Sequence, residues 1–232
     1  MKFPEQQGIL THYSSEHIIE HLSPYVNEAR QERITQVIHN RLNSIQLALE
    51  CPADINNAFA AIRTAEALGI THVHIIAPEG TTFMAKHITR GALYWVSIHY
   101  YETLDEFLQH AQKNNLLLAG GIVTATTPLS DIPIHNSVCI MIGNENRGLS
   151  EAAQEACAIR YIIPMVGMSE SMNLSVSAAI SLYDVTQRKR ILLNQSPDIT
   201  TSEQQQLRAH YFLNSVSPRL SKELLPLTKN HL

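Results

Sequence analysis

The chain has little cysteine, little charge and no long apolar run, and each shortage argues against a class of protein. Its three cysteines, Cys51, Cys139 and Cys157, are odd in number and widely spaced, which speaks against a disulfide framework or a cysteine-built zinc site. They are expected as reduced thiols, with Cys139 packed as a small hydrophobe in a strand. No apolar stretch reaches the ~18 residues that cross a bilayer, and the opening Met1–Gln7 lacks the apolar core of a secretory signal. A cytoplasmic protein with no membrane segment is the expectation. Charged side chains make up 16% of the 232 residues and the formal balance is −4, which counts against strong unassisted binding to a polyanion. The distribution softens that objection, because residues 186–232 hold 7 of the 17 basic side chains but only 3 of the 21 acidic ones. The cationic tail is led by Arg188-Lys189-Arg190, a run that would equally suit the C-terminal end of a helix.

What is present supports one sizeable core with appendages, since 44% of the residues are hydrophobic. The 12 histidines form no metal signature. His72 and His74 share a strand face and His17 and His21 a helix face, but neither pair has a third ligand at matching spacing, so no metal is expected.

The apolar periodicity alternates between strands and helices. Ile34, Val37, Ile38 and Leu42 share one face of an amphipathic helix, and Pro24 interrupts the helical patches before it. Ile45–Leu49 alternates as a first strand. A helix is predicted from Asn57, as its N-cap, to about Leu68, with Gly69 just beyond its end, followed by a strand over Val73–Pro78. Further strands are predicted at Trp95–Ile98, Leu116–Ala119, Val138–Ile142 and Tyr161–Ile163, with helices over Leu104–Lys113 and from Ser171–Asn173 to Arg190. Repeated strand–helix order predicts an α/β fold with a mostly parallel sheet and helices on both faces. The polar stretch Asn194–Gln205, containing Pro197, reads as a linker.

Three segments lie where a predicted strand or helix meets a loop: Asn57-Ala58-Phe59-Ala60-Ala61-Ile62-Arg63-Thr64, Gly143-Asn144-Glu145-Asn146-Arg147-Gly148-Leu149, and Ile163-Pro164-Met165-Val166-Gly167 running on to Ser171-Met172-Asn173-Leu174-Ser175. In open α/β sheets ligands collect at the carboxyl ends of strands, so the two glycine-bounded loops read as parts of one site. In order and spacing, the segments resemble the three motifs of the SPOUT superfamily of RNA methyltransferases, in its TrmH (SpoU) branch of ribose 2′-O-methyltransferases. The resemblance covers roughly residues 30–190.

The resemblance implies S-adenosylmethionine as methyl donor, a C-terminal trefoil knot and a homodimer. It divides the chain into an N-terminal helical extension (1–44), a methyltransferase domain (45–190) and a C-terminal extension (191–232). It marks Arg63 as the catalytic arginine beside the 2′-hydroxyl. Asn57 would orient the substrate or that arginine, Glu145 would fix Arg63 or help remove the proton, and Ser171 and Asn173 would flank the transferred methyl. A guanidinium, with a pKa above ~12, is a poor base, so clamping phosphate and stabilising alkoxide charge suit Arg63 better. Asn57, Ser171 and Asn173 would equally suit helix caps.

Cofactor contacts would fall on Gly120, Ile142, Gly143, Ile163 and Met172, the glycines permitting close backbone approach. No Gly-x-Gly-x-x-Gly follows the first strand, against an ordinary Rossmann-type methyltransferase. The chain departs from the branch at Leu118–Gly121, where a threonine and a second polar residue are usual, so cofactor affinity is the property expected to differ. Arg33 and Arg41, with Arg188, Lys189 and Arg190, resemble the RNA-facing helical extensions of branch members that modify tRNA. The expected target is therefore guanosine 18 in the tRNA D-loop. Another tRNA position, ribosomal RNA, or a non-catalytic RNA-binding protein of the same fold stay open.

Overall fold

The computed structural model describes residues 4–78 and 91–227. It divides into two compact units, Leu42–Ser196 and a second built from Met1–Arg41 together with Pro197–Leu232. The two terminal segments thus share one unit.

In the larger unit, β1 (Ile45–Glu50), β2 (His72–Ile76), β3 (Ser97–Tyr101), β4 (Leu117–Gly121), β5 (Thr127–Pro128), β6 (Val138–Ile142) and β7 (Ile159–Ile162) form one sheet. Its order is β3-β2-β1-β6-β4-β7-β5 and every neighbouring pair is parallel. Every residue of β1 and β6 is buried, as expected of central strands covered on both faces. Alternate side chains feed two cores. Leu47, Leu49, Ile140 and Ile142 pack with Phe59 and Ile62 of α4 (Ile55–Ala67) and with Ala178, Leu182 and Val185 of α7 (Leu174–Leu193). Ala48, Cys139 and Met141 pack on the other face with Phe107 of α5 (Leu104–Lys113) and Ala153 of α6 (Glu151–Ala156). Side chains such as Leu182 and Phe107, both fully buried, contribute roughly 1.5–3 kcal/mol each.

The predicted α5 and the predicted strand over Val138–Ile142 coincide with the observed elements, and the remaining boundaries shift by a few residues. The third strand is displaced most, from Trp95–Ile98 to Ser97–Tyr101, because parallel pairing matches His72 with Ser97 and Ile76 with Tyr101. Helix α4 starts earlier than predicted. Asp54, not Asn57, is its N-cap, accepting a bond from the Asn56 amide at 2.8 Å. That releases Asn57, in the first turn, for other contacts.

In the smaller unit, α1 (Pro4–His12) is followed by α2 (Ser15–Leu22) and α3 (Glu28–His39), and the latter two pack against α8 (Thr201–Ser215), burying Ile18, Leu22, Ile34, Ile38 and Phe212. The predicted linker ends early: Thr200 and Glu203 close a capping box that starts α8, a signal the sequence carried as Thr-x-x-Glu.

Candidate active site

Because the strands are parallel, the carboxyl ends of β1, β6, β4 and β7 open on one edge of the sheet in that spatial order. The loops leaving β4, β6 and β7 line a cleft of about 300 Å³ there. Its lining includes Gly121, Ile142, Gly143, Glu145, Arg147, Ile163, Ser171 and Met172.

The loop after β6 is a tight turn. Asn144 and Gly148 exchange backbone hydrogen bonds (3.0 and 2.8 Å), and Gly148 takes φ +68°. A Cβ on Gly143 would lie 2.1 Å from the Gly148 carbonyl carbon, so glycine is required by the chain's own backbone rather than by a ligand. Asn144 Oδ1 accepts from the amides of Asn146 and Arg147, while its Nδ2 donates to the Cys51 carbonyl at 2.7 Å. Cys51 itself adopts φ +46°, which turns the chain sharply after β1. Asn144 was missed by sequence reasoning, although an Asn inside a glycine-bounded turn is the composition of a side-chain-closed turn.

Glu145 sits at the junction of the three motifs. Its carboxylate accepts from the Ala53 amide at 2.7 Å, the Asp54 amide at 3.2 Å and Asn57 Nδ2 at 3.0 Å. Burial alone would raise its pKa, but the bonds from Asn57, Ala53, its own backbone and Asp54 outweigh that and hold the carboxyl below its ordinary value. The charged form thus caps the start of α4, where the helix dipole favours an anion. Asn173, the N-cap of α7, donates through Nδ2 to Asn57 Oδ1 at 3.0 Å and accepts through Oδ1 from the Ser175 amide and hydroxyl. An unbroken chain therefore runs Asn173–Asn57–Glu145, tying together all three motifs.

Several expectations need correction. Glu145 is bonded to Asn57 and to two backbone amides, not to Arg63. Arg63 is exposed on α4, outside the cleft lining, and has no hydrogen-bond or ion-pair partner among the described residues. Its position six residues after Asn57 turns it about 240° around the helix, at 3.6 residues per turn, onto a different face. Gly120 lies behind the cleft, where an added Cβ would meet Cys157 Sγ at 2.8 Å, and it is the neighbouring Gly121 that lines the cleft. Ile142, Gly143, Ile163 and Met172 line it, and so does Ser171.

The expected RNA-facing cations mostly turn inward. Arg41 is 1% exposed and donates to the Tyr211 hydroxyl at 2.8 Å. Arg188 donates to the Ile132 and Leu129 carbonyls and pairs with Asp184, Lys189 donates to the Ile134 and His135 carbonyls, and Arg190 donates to the Leu68 carbonyl. These side chains hold α7 against its neighbours because carbonyls ending an adjacent turn and a loop need donors. Of the five, Arg33 is exposed.

An open parallel sheet with a cleft of polar, glycine-bounded loops at its strand ends is the architecture of an α/β ligand-binding enzyme. Residues 44–183 match the SpoU rRNA Methylase family, and the chain belongs to that family. It is 28% identical over 197 residues, 82% of this chain and 88% of the relative, to a tRNA (guanosine(18)-2′-O)-methyltransferase of Borreliella burgdorferi. Its fold is shared with the A. aeolicus TrmH/SpoU tRNA modifying enzyme, with a TM-score of 0.72 at 22% identity over 82% of this chain and 98% of that one. It is shared more partially with the SpoU methyltransferase AviRb of Streptomyces viridochromogenes, solved in complex with AdoMet, with a TM-score of 0.55 at 22% identity over 66% of this chain and 58% of that one. Among the described residues no helix is long and apolar enough to cross a membrane.

Proposed function

We propose that this protein transfers a methyl group from S-adenosylmethionine to the ribose 2′-hydroxyl of guanosine 18 in the tRNA D-loop. The observation that carries the reading is the Asn173–Asn57–Glu145 chain, which joins the three family motifs beside a cleft at the strand ends. Similarity to the Borreliella burgdorferi enzyme over most of both chains supports the tRNA substrate.

The cleft suits a nucleoside-sized cofactor held by backbone and apolar contact. Its volume of about 300 Å³ falls at the small end of ligand pockets, ~300–1,000 Å³, and Ile142, Ile163 and Met172 give it apolar walls beside Gly121 and Gly143. Bound there, S-adenosylmethionine supplies an electrophilic methyl for in-line displacement. The chain's own residues do the rest. Glu145 stays ionised with its oxygens bonded to the Ala53 and Asp54 amides and to Asn57, so it orients Asn57, and the hydroxyl proton leaves to solvent water as the oxygen takes the methyl. Asn57 and Asn173, each fixed by the other, and Ser171 in the cleft position the ribose. Arg63 clamps the adjacent phosphate and stabilises negative charge developing on the attacking oxygen.

Because Arg63 lies outside the cleft of its own chain, it serves the cleft of a second copy. A groove between α4 and α7 is lined by Thr64, Leu68, Ala179, Ile180, Tyr183 and Ile191. Val176, Ile180, Tyr183 and Ile191 form a stripe at helical spacing, 45, 37, 61 and 80% exposed. A homodimer covering this stripe places Arg63, next to Thr64, at the interface edge. The segment entering α7 is threaded as a trefoil knot, Arg33 faces RNA, and the enzyme works in the cytoplasm; the family resemblance supports these three statements.

The test is methyl transfer by the purified protein to tRNA from a strain lacking the modification. Nuclease digestion and mass spectrometry then locate the product. A 2′-O-methylguanosine at position 18 is expected; a methylated base, or a methylated ribose elsewhere, overturns the reading.

A further inference from the structure

The charges lining the cleft are unequal in what already satisfies them. Among the described lining residues the charged side chains are Glu145 and Arg147. The carboxylate is spent within the protein on Ala53, Asp54 and Asn57. The guanidinium is exposed, with no hydrogen bond or ion pair from its side chain among the described residues. The cleft therefore has unused capacity for an anion, and that capacity is on one side chain.

The backbone beneath Arg147 is fixed. Its amide donates to Asn144 Oδ1 at 3.2 Å, the Asn144–Gly148 pair closes the turn on either side, and Gly143 admits the close return of the chain. The side chain thus projects from a rigid turn at the cleft rim, and no loop must be ordered before it can bind. An exposed cation at an open rim attracts a polyanion over a distance, and a guanidinium fits a phosphate through two parallel N–H bonds. The inward-turned Arg188, Lys189 and Arg190 are already engaged within the protein, with the Ile132, Ile134 and Leu68 carbonyls and, for Arg188, with Asp184.

We infer that Arg147 binds a phosphodiester of the RNA strand next to the target ribose and so sets how the strand enters the cleft. This rests on the proposed RNA substrate. Arg147 of one copy and Arg63 of the second copy then hold successive parts of one backbone, the latter at the reacting sugar and the former at the entry.

The test measures binding of unmodified tRNA transcript to the full-length protein between 50 and 300 mM salt for wild type, Arg147→Ala and Arg147→Lys, with methyl transfer followed in parallel. Affinity of Arg147→Ala for tRNA is expected to fall roughly tenfold, as for loss of one charged hydrogen-bonding group, and the slope of log affinity against log salt to drop by about 1. Arg147→Lys should keep the slope. The affinity of all three for S-adenosylhomocysteine should stay within twofold, which also reports that the turn is intact. An unchanged salt slope in Arg147→Ala overturns the inference, as does weaker S-adenosylhomocysteine binding with unchanged tRNA binding, which would assign the guanidinium to the cofactor carboxylate. Arg147-dependent tRNA binding without methyl transfer would sink the proposed reaction and leave this inference standing; methyl transfer with an unchanged slope would do the reverse. Failure of the wild type to bind tRNA ends both.

Discussion

Asn173 donates from Nδ2 to Oδ1 of Asn57 at 3.0 Å, across 116 positions of sequence. The same Asn173 also caps α7 through its Oδ1. The cap and the inter-motif bond use different atoms, so they can be separated. In Asn173→Asp the carboxylate oxygens can still cap the helix, but the donor to Asn57 is gone. The expected result is a melting temperature within a few degrees of wild type and a large loss of kcat. Asn173→Ala should lose both, with about 1 kcal/mol of stability gone from the missing cap. Thermal melts beside initial rates check this; equal kcat in Asn173→Asp and wild type would detach the bond from catalysis.

Arg63→Ala should lower kcat/KM by roughly 100- to 1,000-fold, the scale for removing one group that stabilises developing charge. Its exposure predicts an unchanged urea midpoint. Because Arg63 is proposed to serve the partner's cleft, mixing Arg63→Ala with an Asn173→Ala protein should restore part of the activity through hybrid dimers. No recovery on mixing, with subunit exchange demonstrated, argues that both groups act within one chain.

Gly143→Ala places a methyl against the Gly148–Leu149 backbone, with the nearest atom at 2.1 Å. The turn must open, costing about 1–3 kcal/mol by overpacking. Chemical denaturation should register that loss, and cofactor binding should weaken in the same variant. A stable protein with normal binding would mean that the turn tolerates a wider geometry.

Stability should fall in acid through His74. Its ring is buried, with Nε2 2.7 Å from Gln46 Oε1 and Nδ1 3.1 Å from the Tyr101 hydroxyl. Burial first, then the neighbouring His99, His110 and His72, push its pKa down to about 2 from 6.5. The unfolded chain takes up a proton below pH 6.5 that the fold refuses, so stability is full above that value and is lost as pH falls toward 2. While His74 stays neutral in the fold, each pH unit costs about 1.4 kcal/mol. Urea midpoints at pH 7.5, 6.0 and 5.0 read the slope, and His74→Gln should flatten it.

Lys189→Ala should destabilise the fold by ~1–3 kcal/mol, because the Ile134 and His135 carbonyls lose their donor. The salt dependence of tRNA binding should not change. A shallower salt slope would return Lys189 to the RNA-facing role that its sequence position suggested.

Much of the architecture was written locally. Helix α5 carries its own boundaries, Thr103 accepting from the Glu106 amide at the start and Lys113 in the last turn, so a window of about ten residues predicts it. The continuous apolar run of Val138–Ile142 likewise announces a buried central strand. The three motifs could be read because they are contiguous, and most of their residues do reach the cleft or the chain of bonds beside it. Even the start of α8 was legible in Thr200 and Glu203, within a polar stretch that has the composition of a linker.

The order of apolar and polar residues along the chain determined which segments became strands and helices and which short segments hold the chemistry, because those choices depend on neighbours within a few positions. Partnership was decided only when the sheet formed. Strand order placed Glu145 beside Asn57, 88 positions away, and Arg190 beside the Leu68 carbonyl, 122 away. A run of three basic residues has the same local pattern whether it meets a phosphate or an unsatisfied carbonyl, and burial by distant chain chose the second.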